Sequence, residues 1–237
     1  MWLPRLVLGT ALAGLPVLAA AQQPPAQPAA QPAPLAVNWT GFSIGAGIGG
    51  EFGTATSTQS GDIGTSSFYA SVYGGYDWQV PGSGWVIGLD LGVDPGQGAF
   101  GEKAVACPPS LCGPVPGATN YLNVKVNWFA DVRPRIGYAF GPYLPFVTVG
   151  YGWGQARASA TTTGFLPIGG QLTKVGLAYQ ATNSSLNGVV FGAGVEYRLG
   201  PHSAMDVTWL RAQTGVSNVP GGHFTGNSFR IGLNYLF

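Results

Sequence analysis

Residues 229–237, with the sequence FRIGLNYLF, constrain the fold more than any other part of the chain. Successive side chains of a β-strand point to opposite faces, so this segment would form a strand with two different faces. The odd-numbered face is strongly apolar: Phe229, Ile231, Leu233, Tyr235 and Phe237. The even-numbered face is smaller and more polar: Arg230, Gly232, Asn234 and Leu236. This two-faced pattern is typical of a barrel wall that has lipid outside and a polar interior.

The same alternation recurs from Val37 onward and predicts eight strands between Gly/Pro turns. They cover about residues 38–52, 66–80, 85–94, 121–135, 147–154, 187–198, 205–209 and 229–237. The alternation fails at Leu210 and Arg211, so the register of the seventh strand is the least defined. The first strand must pair with the last, because an open sheet edge in a bilayer leaves backbone groups unsatisfied.

Short turns alternate with long connections along the chain. The turns are at residues 81–84, 141–142 and 200–201, and the connections are at 53–65, 95–120, 158–186 and 213–225. Short turns at one end and long loops at the other are typical of outer-membrane barrels. We therefore predict an all-β fold, an eight-stranded antiparallel transmembrane β-barrel with up-and-down topology over residues 37–237. Its turns and both termini would face the periplasm.

The composition decides between a membrane barrel and a soluble one. A soluble eight-stranded barrel of the lipocalin type would show the same alternation with its faces exchanged. Only 8% of the residues are charged, and a soluble surface with so few charges would associate or precipitate. No uninterrupted apolar run of about 18 residues follows the N-terminal segment, which excludes a helical span. Without Arg5 the chain has nine basic and nine acidic residues, so no nucleic-acid partner is expected.

The N-terminal segment predicts export. Residues 1–21 resemble a secretory signal, with Arg5 before an apolar stretch at 6–18 and a cleavage site near Ala21. An uncleaved anchor is the alternative. Residues 22–36 are rich in Pro, Ala and Gln, which favours an extended periplasmic tail that is either a spacer or a cell-wall contact.

By the same alternation, most charged side chains point into the barrel. The predicted inward charges are Glu51, Asp77, Asp90, Asp94, Lys125, Asp131, Arg133, Arg135, Glu196, Arg198, Asp206 and Arg230. Buried charges are tolerated when they are paired and hydrogen-bonded. An eight-stranded barrel has an interior just wide enough for side chains to fill. We therefore predict an interior plugged by salt bridges, with an ion path as the alternative.

Aromatic residues and cysteines suggest two further features. Aromatic belts at the two membrane interfaces are predicted from Trp78, Trp85, Trp128, Trp153, Trp209 and Tyr235. Cys107 and Cys112 lie in one long connection of an exported chain, which favours a disulfide. A metal site would need more ligands, and His202 and His223 lie elsewhere, so no metal is expected.

Catalytic patterns are weak. His223 and Thr225 would share one face of a strand, but no carboxylate lies near them in sequence to orient the ring. The many GxG matches fall inside strands, where they indicate close backbone packing and not phosphate binding. We expect no catalytic residues and no cofactor.

Several segments together resemble the small outer-membrane β-barrel surface-antigen family of Gram-negative bacteria. They are residues 39–42 (WTGF), 128–140 (WFADVRPRIGYAF), 144–150 (LPFVTVG), 192–198 (GAGVEYR) and 230–237 (RIGLNYLF). The resemblance covers about residues 37–237 and implies an eight-stranded barrel similar to the membrane domain of outer-membrane protein A. It also implies that the alternate residues of the last strand form the signal read by the barrel-assembly machinery. Pro134 and residues 209–211 depart from the usual pattern.

These observations predict a non-enzymatic protein of the Gram-negative outer membrane with a structural and surface role. The expected partners are outer-membrane lipid and, during biogenesis, periplasmic chaperones and the assembly machinery. A passive porin-like channel and a loop-mediated adhesin or ligand-binding protein are the alternatives.

Overall fold

The computed structural model describes residues 37–58, 61–95, 100–107 and 115–237. The predicted signal peptide (1–21) and periplasmic tail (22–36) lie outside the described residues, so both stay predictions. Within these ranges there is no helix with the length and apolar character needed to cross a membrane.

The described residues form one antiparallel sheet that closes on itself. Its strands are β1 (Gly41–Ser57), β2 (Gly61–Gln79), β3 (Trp85–Pro95), β4 (Phe100–Ala106), β5 (Thr119–Tyr138), β6 (Tyr143–Ile168), β7 (Gln171–Gly200), β8 (Ser203–Val216) and β9 (His223–Leu236). Strand β1 pairs with β2 on one side and with β9 on the other. The β1–β9 pairing runs from Ser43–Leu236 to Thr56–His223, so the sheet is a closed barrel.

The nine strand segments occupy eight positions in the wall. Segments β3 and β4 both pair with β2 on one side and β5 on the other, and both run antiparallel to β5. They are therefore two parts of one interrupted wall strand, separated by residues 96–99, which lie outside the described ranges. The predicted eight-stranded up-and-down barrel is confirmed.

The outer face of β9 is the apolar face predicted from residues 229–237. All five odd-numbered side chains are more than half exposed, and Phe237 reaches 73%. The even-numbered Arg230, Asn234 and Leu236 point inward and are each less than a tenth exposed. The odd-numbered apolar side chains of this segment therefore face outward, and its polar side chains, Arg230 and Asn234, face the lumen.

Most of the described residues in the predicted long connections belong to strands, so their prediction as loops was wrong. Strands β6 and β7 have 26 and 30 residues and meet in a two-residue turn at Gly169 and Gly170. Both glycines have positive φ, 61° and 82°, as a tight hairpin turn of type I′ requires. A membrane-spanning strand needs about 9–11 residues. The excess length therefore extends the β6–β7 hairpin beyond the membrane at the loop end of the barrel.

A β-bulge in β5 overturns the predicted orientation of Lys125. Val126 pairs with Ala156, but Trp128 pairs with Gln155, so the register shifts at the residue between them. An inserted residue reverses which side chains face inward on one side of the bulge. Lys125 is consequently exposed, and Val126, predicted to face lipid, is only 4% exposed.

The register of β8 is regular through the segment where the alternation fails. The β8–β9 pairing continues without a shift from Ser203–Tyr235 to Gly215–His223. Leu210 lines the interior, whereas Arg211 borders a groove on the outer side with Phe52. The apolar/polar alternation fails here because an apolar side chain, Leu210, faces the interior. The strand itself continues without a break.

The bulge determines which side chains of β5 a water-soluble reagent can reach. In a Cys107→Ser, Cys112→Ser background, we expect Lys125→Cys to react readily with a water-soluble maleimide in the folded barrel. Val126→Cys is expected to be protected until the barrel is unfolded. Faster labelling of Val126→Cys than of Lys125→Cys would mean that β5 has no bulge.

Candidate functional site

Arg135 is the centre of the charged interior. Its Nε donates to Asp77 Oδ1 at 2.9 Å, and its Nη2 contacts Asp77 Oδ2 and Glu196 Oε2, the latter at 3.2 Å. Asp90 Oδ1 lies 3.6 Å from the Nε atom. A planar guanidinium suits this arrangement because its donors form a fixed fork. One arginine from β5 thereby joins carboxylates from β2, β3 and β7.

A second cluster surrounds Asp206. Its carboxylate accepts hydrogen bonds from Tyr73 Oη at 2.5 Å, Thr208 Oγ1 at 2.7 Å and Arg230 Nη2 at 3.2 Å. Asn234 Nδ2 lies 3.4 Å from Asp206 Oδ1 and donates to Glu196 Oε1 at 3.1 Å. Because Glu196 also contacts Arg135, Asn234 connects the two clusters into one network across the lumen.

Glycines give these large side chains room. A Cβ atom on Gly232 would lie 2.8 Å from Asp206 Oδ1 and 2.9 Å from Tyr73 Cζ. The guanidinium of Arg230 lies 3.5 Å from the centre of the Tyr73 ring, so this part of the interior is closely packed. A side chain larger than hydrogen at Gly232 would displace the network.

The other predicted inward charges have different surroundings. Arg133 and Asp131 form a buried ion pair. Glu51 and Asp94 line a cavity of about 40 Å³ above the network. Arg198 instead lies at the turn end, where it donates to the carbonyl oxygens of Asn38 at 2.8 Å and Pro201 at 3.0 Å.

We group eight inward-facing charges as the ionic layer, defined as Asp77, Asp90, Asp131, Arg133, Arg135, Glu196, Asp206 and Arg230. Of the predicted inward charges, Glu51, Asp94 and Arg198 lie at its borders, and Lys125 lies outside the barrel.

The turn end of the barrel is closed by an apolar plug. Trp39, Val86 and Leu144 pack together and are at most 2% exposed. The Trp39 backbone N–H donates to Gln79 Oε1 at 3.0 Å, and the Arg198 guanidinium lies 4.7 Å from the Trp39 ring. These contacts hold the residues before β1 inside the mouth of the barrel.

A second apolar group, which the alternation did not predict, lies inside the barrel toward the loop end. We call it the apolar layer, defined as Val126, Ala156, Leu186 and Phe224. All four point inward and are 2–5% exposed. Alternation assigned apolar residues to lipid and polar ones to the lumen, so it had no means of detecting an apolar lumen. Leu186, Leu210 and Phe224 at inward positions were the available signal.

The predicted interface aromatics all lie on the wall. Around the turn end, Trp85 contacts Tyr138 at 5.3 Å between ring centroids, and Tyr235 contacts Phe237 at 5.0 Å. Trp78 lies on the same end, at 45% exposure. The remaining three lie farther toward the loop end: Trp128, Trp153 and Trp209. Their assignment to membrane interfaces stays a prediction.

The cysteine pair is only partly described. Cys107 follows β4, and its backbone N–H donates to Ala118 O at 2.9 Å. Cys112 lies outside the described residues, so the disulfide stays a prediction.

A closed barrel with an apolar outer wall and charged side chains in its interior defines an integral outer-membrane protein. A family model described as "Outer membrane protein beta-barrel domain" matches residues 10–237. The chain belongs to this family. Its place is the outer membrane of a Gram-negative bacterium.

Two relatives are named outer-membrane proteins. The 31 kDa outer-membrane immunogenic protein of Brucella melitensis biotype 1 is 26% identical over 187 residues, 74% of this chain and 69% of the relative. The 22 kDa outer membrane protein of Rhizobium leguminosarum bv. viciae is 31% identical over 147 residues, 60% of this chain. That match spans 54% of the Rhizobium protein.

Solved structures show more distant likeness. Neisserial surface protein A is 16% identical, with 84% of this chain and 98% of that chain covered and a TM-score of 0.42. The outer membrane protease OmpT of Escherichia coli is 11% identical, with coverage of 83% and 97% and a TM-score of 0.43. Likeness at this distance concerns the fold alone.

Replacing Arg135 should destabilise the barrel strongly. Arg135→Met leaves Asp77 and Glu196 buried without their main cation, and such a loss costs about 3–5 kcal/mol. Arg211→Met removes a charge from the outer side and should change the free energy of unfolding by less than about 0.5 kcal/mol. Urea unfolding in lipid vesicles, followed by tryptophan fluorescence, measures both. Equal losses in the two variants would show that the ionic layer does not stabilise the fold.

Proposed function

We propose that this protein is a non-conducting, non-enzymatic barrel that strengthens the outer membrane and presents its loop-end hairpins at the cell surface. The observation that carries the proposal is the filling of the lumen at three successive levels. The turn-end plug, the ionic layer and the apolar layer follow one another along the barrel axis, each built from buried side chains.

The ionic layer supports a closed lumen because its contacts join opposite walls. Arg135 on β5 contacts Asp77 on β2 and Glu196 on β7. An ion could pass only if these buried pairs separated, and separating them leaves uncompensated charges. The network therefore serves as a cross-brace of the wall and not as a selectivity filter.

The surroundings of His223 support a non-enzymatic role. His223 is exposed, and its Nδ1 lies 3.1 Å from Gly221 O in its own connection. Across the sheet it pairs with Thr56, whose hydroxyl donates to Asp62 at 2.8 Å. That hydroxyl is thus already committed to a carboxylate, and the His223 ring faces the carbonyl of its own turn.

The β6–β7 hairpin favours adhesion as a second candidate function. Beyond the barrel it exposes large apolar side chains, including Ile168 at 56%, Leu172 at 64% and Tyr179 at 61%. Arg157 and Lys174 add positive charge, and Arg157 Nη2 donates to Tyr179 Oη at 3.2 Å. Exposed apolar patches with a polar rim are typical of interaction surfaces.

Conductance tests the main proposal. The refolded protein in planar bilayers should show no steady openings, whereas a general porin reconstituted in the same bilayers should conduct. The reason is that buried side chains occupy the described lumen at three levels, around cavities of about 40 and 90 Å³. Steady openings comparable with those of the porin would refute the closed-lumen proposal.

Shortening the hairpin tests the second candidate. Replacing residues 161–179 by Asn-Gly joins Ala160 to Gln180, which are paired neighbours, so the barrel should still fold and show heat-modifiable migration on gels. Bacteria producing this variant should adhere less to host cells than bacteria producing the full-length protein. Unchanged adhesion, with equal amounts at the surface, would exclude the hairpin as an adhesin.

A further inference from the structure

A chamber inside the loop end of the barrel remains without a role in the proposed function. Its volume is about 90 Å³. Val126, Leu186 and Phe224 form its floor and separate it from the smaller cavity above the ionic layer. Val219, in the connection between β8 and β9, borders it from above. The chamber is therefore on the outer side of the closed lumen.

The wall of the chamber is mainly apolar; Thr56, Ser57 and His223 also border it, but none of the three is buried. Ile63, Val124 and Ala158 border its sides, and Ile63 is only 4% exposed. One water needs a cavity of about 10–15 Å³ and two to four polar partners. The chamber exceeds that volume several-fold but provides few polar groups, so it holds water poorly. Apolar space of this kind favours a small organic molecule.

One buried hydroxyl gives the chamber a hydrogen-bonding group. Ser184 borders it and is 4% exposed, and its Oγ has no hydrogen-bond partner among the residues that the structure describes. An unsatisfied buried hydroxyl is costly, so a ligand group that bonds to it gains free energy. Thr65 and Ser71 also have unpartnered hydroxyls within the described ranges, but neither borders the chamber.

The roof of the chamber is fixed to the wall. Both the backbone N–H and the hydroxyl of Thr58 donate to Pro220 O, at 3.2 and 2.8 Å. Ser217 N donates to Ser185 O at 2.9 Å, next to Ser184. These bonds hold the β8–β9 connection against β1 and β7, so the chamber is preformed.

We propose that this chamber binds a small apolar compound of about one aromatic ring that carries a single hydroxyl group. The ring lies against Leu186 and Phe224, and the hydroxyl bonds to Ser184 Oγ. The proposal goes beyond the structural role of the barrel, because it describes capture of a ligand at the cell surface without passage through the lumen.

The matched pair 4-fluorophenol and fluorobenzene tests this proposal. Both have one ring, but only 4-fluorophenol has the hydroxyl. Fluorine NMR with the full barrel in lipid nanodiscs, referenced to empty nanodiscs, should show saturable binding of 4-fluorophenol at least tenfold tighter than that of fluorobenzene. Binding that does not saturate, or that equals the signal of empty nanodiscs, would refute the chamber as a site.

Two variants and one control locate the site. Ser184→Ala should reduce the preference for 4-fluorophenol to less than about twofold, because it removes only the hydrogen-bonding group. Ala158→Phe fills the chamber and should weaken both probes at least tenfold. Val189→Phe adds similar bulk on the outer face, where Val189 is 46% exposed, and should leave binding unchanged. Heat-modifiable gel migration confirms that each variant is folded.

The outcomes are distinguishable. Unchanged binding in Ala158→Phe would place the ligand elsewhere and overturn the proposal. A preference that persists in Ser184→Ala would overturn the role of the hydroxyl. If Ala158→Phe does not fold, the conservative Ser184→Ala variant still decides the question.

Discussion

Satisfaction of the backbone hydrogen bonds is the constraint on which the structure depends. Lipid provides no donors or acceptors, so each strand in the bilayer must pair on both sides. The β1–β9 pairing achieves this by joining the first wall strand to the last over fourteen positions. Once the sheet is closed, alternation divides the side chains into an outer set that meets lipid and an inner set that must fill a narrow space.

Two kinds of side chain occupy the lumen. Near the turns, charged and hydroxyl side chains bond to one another across the lumen, as Asp206 does with Tyr73 and Arg230. Toward the loops, several inward positions are apolar, and Leu186 and Phe224 pack as they would in the core of a soluble protein, although Ser184 and Thr214 are also buried there. The change occurs within single strands: β8 places Asp206 and then Leu210 inward, four residues apart.

Much of the architecture could be predicted from the sequence because alternation in β9 and β3 is regular and one face is buried. The prediction failed where simple alternation with a polar lumen does not hold. At β5 an inserted residue reverses the faces, and no single residue type marks such a bulge, so Lys125 was placed inside. At β8 the assumption of a polar lumen made the inward Leu210 look like an error of register. The hairpin arms were taken as loops because Gly/Thr-rich sequence lacks the apolar face that lipid demands, although pairing between arms persists to Gly169 and Gly170.

The β6–β7 hairpin has a consequence for how the protein can be used. Its two-glycine tip lies at the end of a ribbon held by its own cross-strand bonds, far along the chain from the wall that seals the membrane. A foreign peptide spliced between these glycines would be carried on a stiff stalk, with the barrel register on either side preserved. The fold thus provides a natural scaffold for displaying epitopes on living bacteria.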